Sequence, residues 1–126
     1  MCRLINENTT ILIVDDHVTL RRTLHDWLML TMRPGQIIET GCGADALIQV
    51  STVSPHLVIM DISLPDINGI QVTKQIKKLF SDVLVVVLSD HEENVYKDDA
   101  VRAGADAYIT KREMRNKLVP VLKQLL

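Results

Sequence analysis

Aromatic side chains are scarce in this chain, with one Trp, two Tyr and one Phe among 126 residues. Leu, Ile and Val must therefore fill any interior. Cysteine is nearly absent too. Cys2 and Cys42 stand far apart and match no CxxC spacing, so they read as reduced thiols acting as small side chains, and sulfur-based metal binding is not expected. Long apolar runs are missing. The longest, Val83 to Leu88, has six residues, far below the roughly 20 that a membrane helix needs, so no membrane association is expected. Nothing before Asp15-Asp16 resembles the apolar stretch of a secretory signal, which makes the cytoplasm the default location. A charge excess is also lacking. A formal net charge of -2 gives no basic footprint for nucleic acid, so DNA binding by this segment itself is disfavoured.

What is present is an ordinary globular composition, 47% hydrophobic and 24% charged, in a length suited to one domain with one core. Short β-branched runs alternate with helical patterns throughout. Ile11-Leu12-Ile13-Val14 reads as a strand buried on both faces. Leu20, Leu24, Trp27 and Leu28 then recur at helical spacing, stopped by Arg33-Pro34-Gly35. A peripheral second strand (residues 36–40) is followed by a helix with Ala46, Leu47 and Val50 inward, ending near Ser54-Pro55. The third strand, Leu57 to Met60, leads through a turn to a helix with Ile70, Val72, Ile76 and Leu79 inward and Lys74, Lys77 and Lys78 outward. Val83 to Leu88 is the fourth strand. The helix over residues 92–103 has only Tyr96, Ala100 and Ala103 as its apolar face, with Gly104 as its terminator, and is expected to be the least firmly packed. Residues 106–110 form the fifth strand. A last helix buries Leu118, Val119, Leu122, Leu125 and Leu126, and Pro120 argues for a start near Asn116 or Lys117, or else for a kink.

Five strands alternating with five helices over short connections demand a mostly parallel sheet with right-handed crossovers and helices on both faces. The expected architecture is the flavodoxin-like (βα)5 doubly wound sandwich, strand order 2-1-3-4-5, with its functional crevice at the carboxyl ends of strands 1 and 3.

That order converges five side chains on one edge: Asp15 and Asp16 after strand 1, Asp61 after strand 3, Ser89 after strand 4 and Lys111 after strand 5. Asp15-Asp16 alone reads as a helix cap, and Asp61 alone as a turn former. Together they are a charge problem, because like charges about 4 Å apart repel by about 4 kcal/mol at an effective dielectric near 20. Hard oxygen ligands in this number suit Mg²⁺. His17 more naturally starts the first helix than binds a metal.

With these residues in hand, the sequence resembles a response-regulator receiver domain of two-component signalling. The matching pieces are residues 14–17 (Val-Asp-Asp-His), 60–69 (Met-Asp-Ile-Ser-Leu-Pro-Asp-Ile-Asn-Gly), Leu88-Ser89 and 103–111 (Ala-Gly-Ala-Asp-Ala-Tyr-Ile-Thr-Lys), and the whole chain, 1–126, reads as a single such domain. The resemblance implies that Asp61 accepts a phosphoryl group from a cognate sensor histidine kinase. It implies that Asp15, Asp16, Asp61 and the Ser63 backbone carbonyl hold Mg²⁺, that Lys111 neutralises the phosphoryl oxygens, and that Ser89 and Tyr108 form the switch. Ser63 and His91 occupy positions that tune dephosphorylation in the family. The expected readout is the face of helix 4, strand 5 and helix 5, with homodimerisation on phosphorylation as one outcome. The resemblance leans towards receivers that precede a helix-turn-helix domain, so that DNA is contacted only through an output domain that is not part of this chain.

A receiver is a switch rather than a turnover enzyme. The competing class is an aspartyl-nucleophile phosphatase of the haloacid dehalogenase type, which also sets an Asp after a parallel strand. That chemistry wants a second Asp two residues on, where Ser63 stands. A flavodoxin-like electron carrier fits less well still, since its first loop uses hydroxyls and amides rather than Asp15-Asp16-His17.

Overall fold

In a computed structural model the described residues are 5–126, so Cys2 lies outside them. The order is β1 (Thr10–Val14), α1 (Val18–Thr31), β2 (Gln36–Thr40), α2 (Gly43–Val53), β3 (Leu57–Met60), α3 (Gly69–Leu79), β4 (Leu84–Ser89), α4 (Asn94–Arg102), β5 (Ala107–Thr110) and α5 (Met114–Leu125). All four strand pairings are parallel and the sheet order is β2-β1-β3-β4-β5, as the alternation predicts.

The pleat divides the core in two, because successive side chains along a strand point to opposite faces. Ile11, Ile13, Leu57, Ile59, Val86, Leu88 and Ile109 pack with Leu24 and Leu28 of α1 and Leu118 and Leu122 of α5. Leu12, Val14, Val58, Met60, Val85 and Val87 pack with Ala46 and Val50 of α2, Val72 and Ile76 of α3, and Ala100 of α4. Helices α1 and α5 therefore cover one face, and α2, α3 and α4 the other. Strands buried on both faces need near-continuous apolar runs, which is why their sequence pattern is so plain.

Several helical details differ from the sequence expectation. On α3, Leu79 is 67% exposed, whereas Thr73 is buried with its hydroxyl donating to the Gly69 carbonyl at 2.9 Å. Lys77 does not point to solvent. It curls under the end of α3, where its ammonium donates to the carbonyls of Val83 (3.0 Å) and Ser81 (3.3 Å) and pairs with Asp106 (3.0 Å). Helix α5 begins at Met114, before the expected start, and carries Pro120 inside it. The proline is exposed, so the backbone acceptor it leaves unpaired is on the watered side of the helix. Helix α4 begins at Asn94, ends at Arg102 and is followed by Gly104 at φ +101°, as a terminating glycine requires.

Candidate functional site

Each reactive residue is fixed by the last rung of a parallel ladder. The Asp15 N–H donates to the Thr40 carbonyl at 3.0 Å, the Asp61 N–H to Val14 at 2.9 Å and the Lys111 N–H to Ser89 at 2.8 Å. One residue beyond each strand, the backbone is still held while the side chain reaches over the sheet edge. Pairing β1 with β3 in register Val14↔Met60 sets Asp15 and Asp61 side by side.

Lys111 ties the cluster together. Its ammonium lies 3.2 Å from Asp15, 3.5 Å from Asp61 and 3.9 Å from Asp90. Burial alone would lower its pKa, but the Asp61 and Asp15 carboxylates outweigh burial and raise it. The Asp61 carboxyl is pushed up to about 6, first by burial and then by the Asp15 charge, against the pull of Lys111 and the Ser63 N–H. One ammonium thus leaves three carboxylates incompletely balanced.

Carboxylate oxygens of Asp15, Asp16 and Asp61 lie within 4.8 Å of one another. Two oxygens on one Mg²⁺ at about 2.1 Å stand no more than about 4.2 Å apart, so small shifts bring the three into its shell. The donor set is all-oxygen and anionic, which fits that ion. His17 is not needed: its ring accepts the Leu20 N–H at 3.1 Å and caps α1, as expected. A cleft of about 520 Å³ opens over the cluster, lined by Asp16, His17, Asp61, Ser63, Asp90 and Lys111 among others.

Ser89, Tyr108 and His91 form a second group, behind the cleft. Ser89 is fully buried and its hydroxyl accepts the His91 N–H at 3.0 Å. The Tyr108 hydroxyl donates to the His91 carbonyl at 2.5 Å, and its pKa is raised chiefly by burial. The His91 ring stacks on Tyr96 of α4, centroids 4.1 Å apart, and its Nε2 lies 3.3 Å from the Ser63 hydroxyl. His91 and Ser63 link the two groups through their side chains, beside the backbone bond from Lys111 to Ser89.

Three positioning interactions escaped the sequence reading. Arg21 donates to the Asp15 backbone carbonyl at 2.5 Å and pairs with Glu39 at 3.1 Å. Asp90 reaches Lys111. Asp66, read only as a turn residue, accepts N–H groups of Gly43 and Ala44. Only Arg21 left a trace, as a charge one turn before Leu24 on the inward side of α1.

The fold and site define a doubly wound α/β protein with an acidic, cation-ready centre and a lysine at its switch point. The chain belongs to the response regulator receiver domain family, whose model matches residues 11–123. It is 30% identical over 115 residues to the response regulator UvrY of Escherichia coli, covering 91% of this chain and 53% of that protein. It is 36% identical over 101 residues to the transcriptional activator protein ExaE of Pseudomonas putida, covering 80% of this chain and 47% of the relative. The chain spans about half the length of the curated relatives it matches. Among solved structures, a DNA-binding response regulator of the LuxR family from Staphylococcus aureus superposes with TM-score 0.87 at 26% identity, over 93% of this chain and 98% of the other. The beryllofluoride-activated DrrB receiver domain, at 24% identity and TM-score 0.83 over 94% and 97% of the two chains, shares the fold. No helix among the described residues is long and apolar enough to cross a membrane.

Proposed function

We propose that the chain is a phosphorylation-operated switch in which Asp61 accepts a phosphoryl group from a phosphohistidine of a sensor histidine kinase. The observation that carries this reading is the convergence of Asp15, Asp16, Asp61 and Lys111 on one open cleft. A cluster of this kind does little covalent chemistry. It positions a nucleophile and balances charge, which is most of what phosphoryl transfer asks of a protein.

Asp15, Asp16, Asp61 and the Ser63 carbonyl would hold Mg²⁺, which supplies positive charge beside the phosphoryl oxygens. An Asp61 carboxylate oxygen bonds to phosphorus as the donor's P–N bond breaks, and the electron pair stays on the leaving imidazole nitrogen. Lys111 gives up part of its contact with Asp61 and turns its ammonium to the arriving oxygens. Ser89 donates its hydroxyl proton to one of them, and the shift passes through His91 to Tyr108 and α4. Ser63 and His91, beside the acyl phosphate, tune its lifetime. The face formed by α4, β5 and α5 reports the state, as a homodimer contact or to an output domain that binds DNA. Relatives named as transcriptional regulators support that last step.

Incubation with a small acyl phosphate and Mg²⁺, followed by intact mass, tests the reading. One phosphoryl group per chain is expected, with none on Asp61→Asn or without Mg²⁺. Sustained turnover of the donor with no phosphorylated chain accumulating would point instead to a phosphatase, and neither uptake nor turnover by the native chain would end the proposal.

A further inference from the structure

Helix α2 has an N-terminus that its own sequence does not cap. Cys42 sits at the capping position with extended backbone, φ -147° and ψ 160°, but its side chain makes no capping bond. The first N–H groups of a helix need acceptors, and here they find one across the sheet edge. Gly43 donates to Asp66 Oδ1 at 2.8 Å and Ala44 to Asp66 Oδ2 at 2.9 Å. One carboxylate thus closes the end of a helix more than twenty residues earlier in the chain.

Asp66 belongs to the loop 62–68 that follows the Asp61 strand. At its base that loop is shut tightly: Gly69 donates to the Ile62 carbonyl at 2.8 Å, and a Cβ on Gly69 would lie 1.9 Å from the Asp61 carbonyl oxygen. Towards its tip it lies against α2 so closely that a Cβ on Gly43 would come 3.2 Å from Ile67 Cβ, with Val72 Cγ2 of α3 beside it at 2.8 Å. Between these anchors stands Ser63. It is the central residue of a tight turn closed by the Leu64 N–H on the Ile62 carbonyl at 3.1 Å, but its own bond to the acid is long, N–H to Asp61 Oδ1 at 3.4 Å, near the limit for a hydrogen bond. How that turn faces the acid therefore depends on what holds the rest of the loop.

We propose that Asp66 is a positioning residue for the acidic site: by capping α2 it pins the tip of loop 62–68 and holds the Ser63 backbone where its carbonyl can join Asp15, Asp16 and Asp61 around a cation. This rests on the reading of the cluster as a Mg²⁺ site. It predicts that the two ends of Asp66's contact are separable, since α2 needs a cap and the loop needs a tether.

The experiment moves the cap without restoring the tether. Cys42→Ser puts a hydroxyl at a position whose backbone already suits an N-cap, so Asp66→Ala/Cys42→Ser has a capped α2 and an untethered loop. Thermal unfolding without metal, calorimetric titration with Mg²⁺ alone, and phosphoryl uptake from an acyl phosphate are compared for the native chain, Asp66→Ala, Cys42→Ser and the double variant. Expected is recovery of the melting temperature in the double variant, with Mg²⁺ affinity still about tenfold weaker than native, the scale of losing an outer-sphere support. Uptake at saturating Mg²⁺ then approaches the native level, and Cys42→Ser alone binds like the native chain. Native Mg²⁺ affinity in the double variant overturns the inference and leaves Asp66 a helix cap only. If the double variant does not fold, Asp66→Asn, which keeps one acceptor oxygen, is read instead: several-fold weaker Mg²⁺ binding supports the inference and native binding overturns it. A native chain that binds no Mg²⁺ overturns the reading of the site itself, and this inference with it.

Discussion

Asp61 opposes the fold that holds it. Its carboxyl is raised from 3.8 to about 6 by burial and by the Asp15 charge, so the folded state takes up a proton more readily than the unfolded chain. Stability linked to a raised carboxyl is lost as pH rises from about 4 to about 6, and the destabilisation is fully developed above that window. A shift of this size is worth about 1–3 kcal/mol. In metal-free protein, Asp61→Asn is therefore expected to be more stable than the native chain at pH 7.5 by about that amount. The gain shrinks as pH falls below about 6, and it closes when Mg²⁺ is added, because the cation stabilises only the native cluster. Urea unfolding at several pH values with and without Mg²⁺ checks this, and an Asn variant less stable than native at pH 7.5 without metal would refute it. The acids themselves were readable in the sequence, since Asp15 and Asp61 each interrupt an apolar run at once and Asp16 follows Asp15 directly. Asp66 and Arg21 were not. Their partners are an amide more than twenty residues away and a backbone carbonyl; Asp66 leaves no periodic or compositional mark, and Arg21 leaves only its place on the inward side of α1.

Among the elements, the strands were readable almost to the residue, and the helix faces less so. A both-faces-buried strand is specified by composition alone, whereas a helix face depends on what its neighbours leave uncovered. The α3 stripe of Ile70, Val72, Ile76 and Leu79 is correct for its middle, but Leu79 overruns the sheet and Thr73 takes the inward place. Lys77 illustrates the same limit, because a lysine one turn from a helix end reads as solvated. Here its ammonium gathers Ser81, Val83 and Asp106, and Asp106 in turn accepts the Val85 N–H at 2.9 Å. The end of α3, the start of β4 and the entry to β5 share one partly exposed polar knot. Gly104 completes it, since at φ +101° a Cβ would also press on Lys77 Cγ at 3.1 Å. Lys77→Met keeps the packed stem and removes the donors, and is expected to cost about 1–3 kcal/mol, the range for hydrogen bonds to a charged group. Phosphoryl uptake at Asp61 stays native, since the knot lies at the opposite end of β4 from Ser89. Denaturant midpoints together with an uptake assay decide it, and lost uptake in a folded Lys77→Met would mean that the knot supports the site as well.

At the scale of the molecule, the two faces of the sheet are unequally tied. Leu118 and Leu122 sink α5 into one core, whereas α4 buries only Ala100 among its nine residues and has no side-chain cap at Glu93. Val95 and Val101 are left more than half exposed. An element with so little buried apolar area opens at low free-energy cost. The site reaches this helix through one side chain, because His91 meets Ser63 at 3.3 Å on one side and stacks on Tyr96 on the other. Any rearrangement that draws Ser89 towards Asp61 must break or move its bond to the His91 N–H, and the His91 carbonyl is where Tyr108 is anchored. Residues 90–104 are therefore expected to exchange between two arrangements, with the phosphoryl group biasing the balance. Amide hydrogen exchange with Mg²⁺, with and without beryllofluoride as phosphoryl mimic, is expected to change protection across 90–104 while β1 and β3 stay protected. His91→Ala removes the ring that bridges Ser63 and Tyr96, so it is expected to shrink the α4 response while leaving Mg²⁺ affinity within about twofold of native, as for a change outside the ligand set. Unchanged exchange in 90–104 on adding the mimic would exclude α4 as the responding element. A full response in His91→Ala would leave Ser89 and Tyr108 to carry the signal without the ring.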